Sequence, residues 1–183
     1  MIEYSDTELV DLALGGDECA FENLIRKHYS SVFNLSYRWC RIREDAEEIT
    51  QEVFLKLTRW LDTFNRKSSF KTWLYRITIN TAKDYSRRSS TRRSYESAFA
   101  REQSSENPGI SPIEYAKANR IYDAIDALPH EQKASLMLVM TEGLSHREAA
   151  GILKCSETTV SWRIHKARKK LKKIIAGWDN NGK

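Results

Sequence analysis

The residues with chemistry to offer lie in two stretches, and what they offer is recognition of a polyanion, with no sign of bond making. Between Glu157 and Lys173 one acid stands against seven Lys or Arg. The leading part of that stretch carries Ser156, Thr158, Thr159, Ser161, Trp162, Arg163 and Lys166. Hydroxyls, Arg and Lys suit base edges, and a following run of Lys suits phosphates. The second stretch, Lys71 to Arg93, mixes cations with rings. Rings stack on unpaired bases while cations track the phosphates of a single strand. Two such modules on one short chain imply a protein that holds DNA at two places. Catalytic chemistry finds no support. His28, His130, His146 and His165 do not cluster at metal-ligand spacing, and no glycine loop is built to cradle phosphate. Cys19, Cys40 and Cys155 are odd in number and far apart, which argues against a zinc site or a disulfide framework. Free thiols in a reducing compartment are expected, and neither a metal nor a cofactor is.

The elements that must carry these residues read as helices throughout. The chain has 183 residues, room for one medium domain or two small ones, with a formal net charge of +5. Only 7 Gly and 3 Pro are present, which permits long helices and disfavours many-stranded β folds. Ser5 or Asp6 is expected to cap a short helix through Leu14, stopped by Gly15-Gly16. A second helix is expected from Glu18 to about Arg41, burying Phe21, Leu24, Ile25, His28, Val32, Leu35 and Trp39. A third runs from about Glu44 to Trp60. Its apolar stripe is Ala46, Ile49, Val53 and Leu57, widened by Phe54 and Leu61, and its other face holds Asp45, Glu48, Gln51 and Glu52. Thr63 to Ser69 reads as a loop containing Phe64, Asn65, Arg66 and Lys67. Ser69 then caps a fourth helix that frays beyond about Arg88.

Residues 94–112 have little to bury and read as a flexible linker. Helical periodicity resumes at Ile113, Ala116, Ile121, Ile125 and Leu128. Pro129 opens another helix, made apolar by Leu136, Met137, Val139 and Met140 and stopped by Gly143. Ser145 and Glu148 form a capping box, Lys154-Cys155 fills a short turn, and Ser156 caps the basic helix. That helix has an inward stripe of Val160, Ile164, Ala167 and Leu171. The expectation is an all-α chain of two small domains, 1–93 and 113–183, the second holding a helix-turn-helix. No stretch approaches the ~18 apolar residues of a membrane span, and Met1 to Asp6 lacks a signal-peptide apolar run. A cytoplasmic protein without membrane insertion is expected.

Several residues admit two roles at this level. The acidic face is either a docking surface or a solvated face with acids favourably placed near a helix N-terminus. Phe70, Trp73 and Leu74 serve either a strand or the core, with core favoured for Trp73 and Leu74. Trp162 faces either DNA or a neighbouring helix. The residues by themselves are consistent with a DNA-binding regulator or with an enzyme on nucleic acid. As a stand-alone regulator the chain lacks a dimer surface or sensor domain, and as an enzyme it lacks a catalytic cluster.

Two motifs carry a family resemblance. Asp45-Ala46-Glu47-Glu48-Ile49-Thr50-Gln51-Glu52-Val53-Phe54, followed by Phe70-x-x-Trp73-Leu74-Tyr75-x-Ile77-x-x-Asn80-x-x-x-Asp84-x-x-Arg87-Arg88, resembles region 2 of a bacterial extracytoplasmic-function (ECF) sigma factor. Leu128-Pro129 through Leu171 resembles that family's region 4. The resemblance implies a non-catalytic factor that directs core RNA polymerase to promoters. Asp45, Glu48, Gln51 and Glu52 would dock on the β′ clamp helices, with the β subunit as a further contact. Phe64, Asn65, Arg66, Lys67, Trp73, Tyr75, Arg76, Asn80, Arg87 and Arg88 would recognise and open the −10 element. Ser156, Thr158, Thr159, Ser161, Trp162, Arg163 and Lys166 would read the −35 duplex. Control by a separate anti-sigma factor is implied as well.

Overall fold

The computed structural model describes residues 4–96 and 120–180, with side chains for 4–89 and 120–176. The chain divides into two compact units, Met1–Phe99 and Ala100–Lys183. Among the described residues every regular element is a helix. Of the expected linker, residues 94–96 belong to a helix, and residues 97–112 lie outside the described residues, as do Ile113 and Ala116.

The first unit begins with α1 (Asp6–Leu14). The Ser5 hydroxyl accepts the Glu8 N–H, and the Glu8 carboxylate accepts the Ser5 N–H at 2.8 Å, a reciprocal cap that satisfies two otherwise orphaned donors. Gly16 turns left-handed at φ 95° and hands over to α2 (Glu18–Cys40), whose cap is Asp17, bonded to the Ala20 N–H at 3.0 Å. After α3 (Arg43–Trp60) and one 3-10 turn (Leu61–Thr63), the loop over residues 64–69 leads into α4 (Phe70–Glu96). Ser69 caps α4 through the Thr72 N–H at 3.1 Å.

α4 outruns its expected end near Arg88 by two turns. The stretch from Arg87 to Glu96 is polar, but it contains no Gly or Pro. Ser, Thr and Arg carry only small helix penalties, so nothing local breaks the hydrogen-bond ladder. Leu24, Val32, Leu35 and Trp39 of α2 pack with Ala46, Ile49, Val53 and Leu57 of α3 and Leu74, Ile77, Ile79 and Ala82 of α4. Each large side chain so buried contributes about 1.5–3 kcal/mol. Phe21 and Ile25, expected in that face, are half-buried at its margin. The Trp39 indole N–H donates to Ser86 Oγ at 2.8 Å, so the largest core residue of α2 also fixes its register on α4.

The second unit contains α5 (described over 120–126), α6 (His130–Met140), α7 (His146–Leu153) and α8 (Glu157–Asn180). Pro129 occupies the cap of α6, where its missing N–H costs nothing. Ser145 and Glu148 build the second reciprocal cap, at the start of α7. Val160, Ile164 and Ala167 of α8 are buried against α6 and α7, and Leu171 is half-buried. Met140, counted among the apolar positions of α6, is exposed, and its sulfur accepts from the Arg168 guanidinium at 3.0 Å. Among the described residues, three other than glycine have positive φ: Arg41 (61°), Arg66 (59°) and Lys154 (50°). All three are cations, and Arg41 and Lys154 directly follow helix C-termini, where positive charge is favoured.

Candidate nucleic-acid and protein interfaces

The acidic side chains of α3 follow a helical spacing of three and four, so they share one face. Glu48 and Gln51 are exposed, while Asp45 and Glu52 are half-buried. The half-burial comes from α4. The Tyr85 hydroxyl donates to Asp45 Oδ1 at 2.7 Å and to Glu48 Oε2 at 3.2 Å. Glu52 accepts from Arg88 at 2.6 Å and pairs with Lys56 at 2.8 Å. Lys56 reaches on to Thr81 Oγ1 at 2.9 Å. Burial alone would raise the Glu52 carboxyl, but Lys56 and Arg88 outweigh it and hold it below the usual carboxylate range. Burial, then the neighbouring Asp45 and Glu48, push the Tyr85 phenol well above its ordinary value. The face is therefore neither a simple solvated stripe nor a bare docking surface. It is an acid ledge braced from α4.

α4 has two working sides. Thr81, Tyr85 and Arg88 address α3. Trp73, Arg76, Asn80, Asp84 and Arg87 follow one another at helical spacing on a different side. Trp73 and Arg76 are half-buried there, and Asn80 and Arg87 are exposed. Arg88 was expected beside Arg87 on a strand. One residue of helical rotation, about 100°, instead turns it to Glu52.

The loop over residues 64–69 is pinned at both ends. Phe64 is only 8% exposed and meets Phe70 edge-on, with ring centres 5.5 Å apart, and Trp73 at 5.4 Å. Arg66 pairs with Asp11 of α1, and Asn65 Oδ1 accepts the Lys67 N–H at 3.2 Å. Asn65, Arg66 and Lys67 are exposed. Phe64 and Tyr75, both expected to meet DNA, lie in the core, Tyr75 at 2% exposure. Burying a ring is worth more than leaving it on a polar loop, and both lie within reach of the apolar seam between helices.

In the second unit Ser156 is a cap. Its hydroxyl accepts the Thr159 N–H at 3.1 Å and bonds the hydroxyls of Thr158 and Thr159. Thr158 is exposed and Thr159 half-buried. Ser161 is exposed and bonds His146 Nδ1 of α7 at 2.7 Å, fixing the angle between the two helices. Trp162 is 56% exposed, with the Lys166 ammonium 5.6 Å from its ring centre. Arg163, expected outward, turns back instead. Its Nη1 lies 3.2 Å from Glu131 of α6 and 3.5 Å from Cys155 Sγ, and the side chain is 18% exposed. Arg163 is three residues after buried Val160, which places it on the flank of the inward stripe. Beyond the leading turns, Lys166, Lys169, Lys172 and Lys173 are exposed.

Sequence reasoning missed Tyr85, Lys56, Thr81 and His146. Each acts by bridging to another helix, and a bridge leaves no periodic mark on its own helix. Among the described residues no helix is long and apolar enough to cross a membrane, and no cluster of three or more His, Cys, Asp or Glu is placed to hold a metal.

Residues 24–92 match the sigma-70 region 2 family model, and residues 118–171 match the model of sigma-70 region 4. An ECF RNA polymerase sigma-E factor of Haemophilus influenzae is 31% identical over 183 residues, covering 94% of this chain and 96% of that one. The RNA polymerase sigma-H factor of Pseudomonas aeruginosa is 32% identical over 186 residues, covering 96% of each. The sigma-E factor of Escherichia coli K12 is 32% identical, covering 91% of this chain and 92% of that one. Among solved structures, CnrH in complex with the cytosolic domain of CnrY superposes with a TM-score of 0.69 at 24% identity, covering 94% of this chain and 97% of that one. The sigma factor RpoE of Bartonella quintana, in complex with the anti-sigma factor NepR, gives 0.63 at 22% identity, covering 85% and 96%. The structural likenesses speak for the fold. With both regions matched in order and relatives aligned over more than nine-tenths of the chain, the protein belongs to the extracytoplasmic-function group of the sigma-70 family.

Proposed function

We propose that this chain is an exchangeable specificity subunit of RNA polymerase, without catalysis of its own, working in the cytoplasm. In this reading the first domain is 1–93, the linker 94–112 and the second domain 113–183. The acid ledge of α3, led by exposed Glu48 and Gln51 with Asp45 and Glu52 behind them, docks on the β′ clamp helices. Asn65, Arg66 and Lys67 in the loop, with Trp73, Arg76, Asn80 and Arg87 on α4, meet the −10 element as it opens. Phe64 and Tyr75 support that surface from beneath. Unstacking costs on the order of a few kcal/mol per base, which binding to polymerase and to the displaced strand must offset. Thr158, Ser161, Trp162 and Lys166 face the −35 duplex, and Ser156, Thr159 and Arg163 set the angle of their helix.

The observation that carries this reading is the pairing, within one unit, of an acid ledge with a cationic loop and helix side. An anti-sigma factor that covers these surfaces would control the chain. The Bartonella quintana complex supports that, since an anti-sigma factor is bound there to a chain of the same fold.

The test is transcription in vitro from fragmented genomic DNA, with core polymerase alone and with this chain added. Discrete new transcripts are expected only when the chain is present. Glu48→Lys with Gln51→Lys, both at exposed positions, is expected to abolish them and to leave the helical content unchanged. Undiminished transcription by that folded variant would remove the ledge from the docking role. No stimulation and no core binding by the wild-type chain would overturn the whole reading.

A further inference from the structure

We propose that Tyr85 is a positioning residue for polymerase docking, its one hydroxyl holding the carboxylates of Asp45 and Glu48 in the orientation that the polymerase meets. The inference rests on the reading of the α3 ledge as the docking face.

Asp45 and Glu48 stand three residues apart on one helix face, and like charges so placed repel. That repulsion favours rotamers that carry the two carboxylates apart. The Tyr85 hydroxyl lies between them, 2.7 Å from Asp45 Oδ1 and 3.2 Å from Glu48 Oε2. A neutral donor shared in this way fixes both side chains without cancelling either charge. Arg88 acts differently on Glu52, since it brings a compensating charge 2.6 Å away. Along the ledge, Glu52 is thus held by a cation and Asp45 and Glu48 share the Tyr85 hydroxyl. Tyr85 is itself held in place, because α4 packs along α3 and Trp39 binds Ser86, the next residue. Its phenol, raised by burial and by the two acids, remains a donor at neutral pH. Ordering a charged side chain before binding removes an entropic cost that the complex would otherwise bear.

The experiment titrates core polymerase with the labelled full-length chain, reads the Kd, and follows transcription at saturating chain. Tyr85→Phe keeps the ring and removes the donor, and it should raise the Kd about three- to tenfold. Transcription at saturation should be unchanged, because the hydroxyl acts on docking alone. In an Asp45→Asn/Glu48→Gln background the same change should have no further effect. Tyr85→Met, which also lacks the donor, should shift the Kd in the same direction. Unaltered affinity of folded Tyr85→Phe would overturn the inference, as would an equal loss in the background lacking both acids, which would mark a merely structural hydroxyl. If the Asp45→Asn/Glu48→Gln chain itself binds core normally, the docking face is misassigned and the inference falls with it. If that chain binds weakly and Tyr85→Phe does not, only the inference falls.

Discussion

A side chain's type states what it can do, and its partners decide whether it does it. Arg163 shows this most plainly. As an Arg near the start of a basic helix it is the obvious base reader, yet Glu131 and Cys155 already engage its guanidinium. Arg163→Ala is therefore expected to cost about 0.2–1 kcal/mol of stability, the range of a partly exposed pair, and to leave the ranking of −35 sequences unchanged. Lys166→Ala, at an exposed position, should weaken all duplexes alike. Fluorescence anisotropy on a panel of duplexes, with thermal melts of each variant, separates the two patterns. Loss of discrimination in Arg163→Ala would show that the guanidinium leaves Glu131 when DNA arrives. Phe64, Tyr75 and Arg88 teach the same lesson. Their stretch mixes rings and cations every few residues, and composition cannot say which of them face a neighbouring helix. The acids Asp45, Glu48 and Glu52, with Gln51 beside them, were legible as a face because their spacing alone makes them one. That Tyr85 and Arg88 brace the face was not, because the braces come from α4, some forty residues further along the chain.

Helices announce their beginnings better than their ends. Ser145 with Glu148 was readable because the box is closed within four residues, by groups that find one another through local geometry; at the first helix only Ser5 or Asp6 was expected as the cap, and the structure adds Glu8 as its reciprocal partner. The end of α4 was not readable. A polar run lowers the gain from burial but supplies no stop, and the helix continues to Glu96. The stripe of α8 was readable in its spacing, and Val160, Ile164 and Ala167 are indeed its buried residues. α7 is the element most dependent on its cap, being 8 residues long. Ser145→Ala should remove about 1 kcal/mol from the second unit. It should also loosen the angle that Ser161 and His146 hold between α7 and α8. Urea unfolding of the variant, paired with its affinity for a −35 duplex, checks this. A stability loss with unaltered affinity would mean that duplex binding does not depend on how firmly α7 is seated.

At the scale of the molecule, the order of the two motifs along the chain was enough to place it in its family, and the all-α, two-unit architecture follows the same order. How the units divide the work on a promoter is a matter of charge, and salt is the probe that reads it. Each phosphate neutralised by a cation releases counterions, and the logarithm of affinity falls by about 0.9 for every such contact per tenfold rise in salt. The exposed Lys166, Lys169, Lys172 and Lys173 line α8. Replacing Lys169 and Lys172 together by Ala should lower that slope by about 2 for the duplex-bound holoenzyme. An unchanged slope would take the latter half of α8 off the DNA.

The three cations at left-handed turns bear on how long a copy of the protein lasts. Arg41, Arg66 and Lys154 each hold a backbone shape that glycine adopts without steric cost. For other residues it costs about 1–2 kcal/mol. A change of 1–2 kcal/mol in stability is enough to alter a protein's cellular abundance several-fold through the proteases that remove unfolded chains. Binding opposes that loss by mass action. On the proposed function, a copy seated on polymerase gains that mass-action stabilisation, and an unbound copy has only its own fold to set against the strain of these turns.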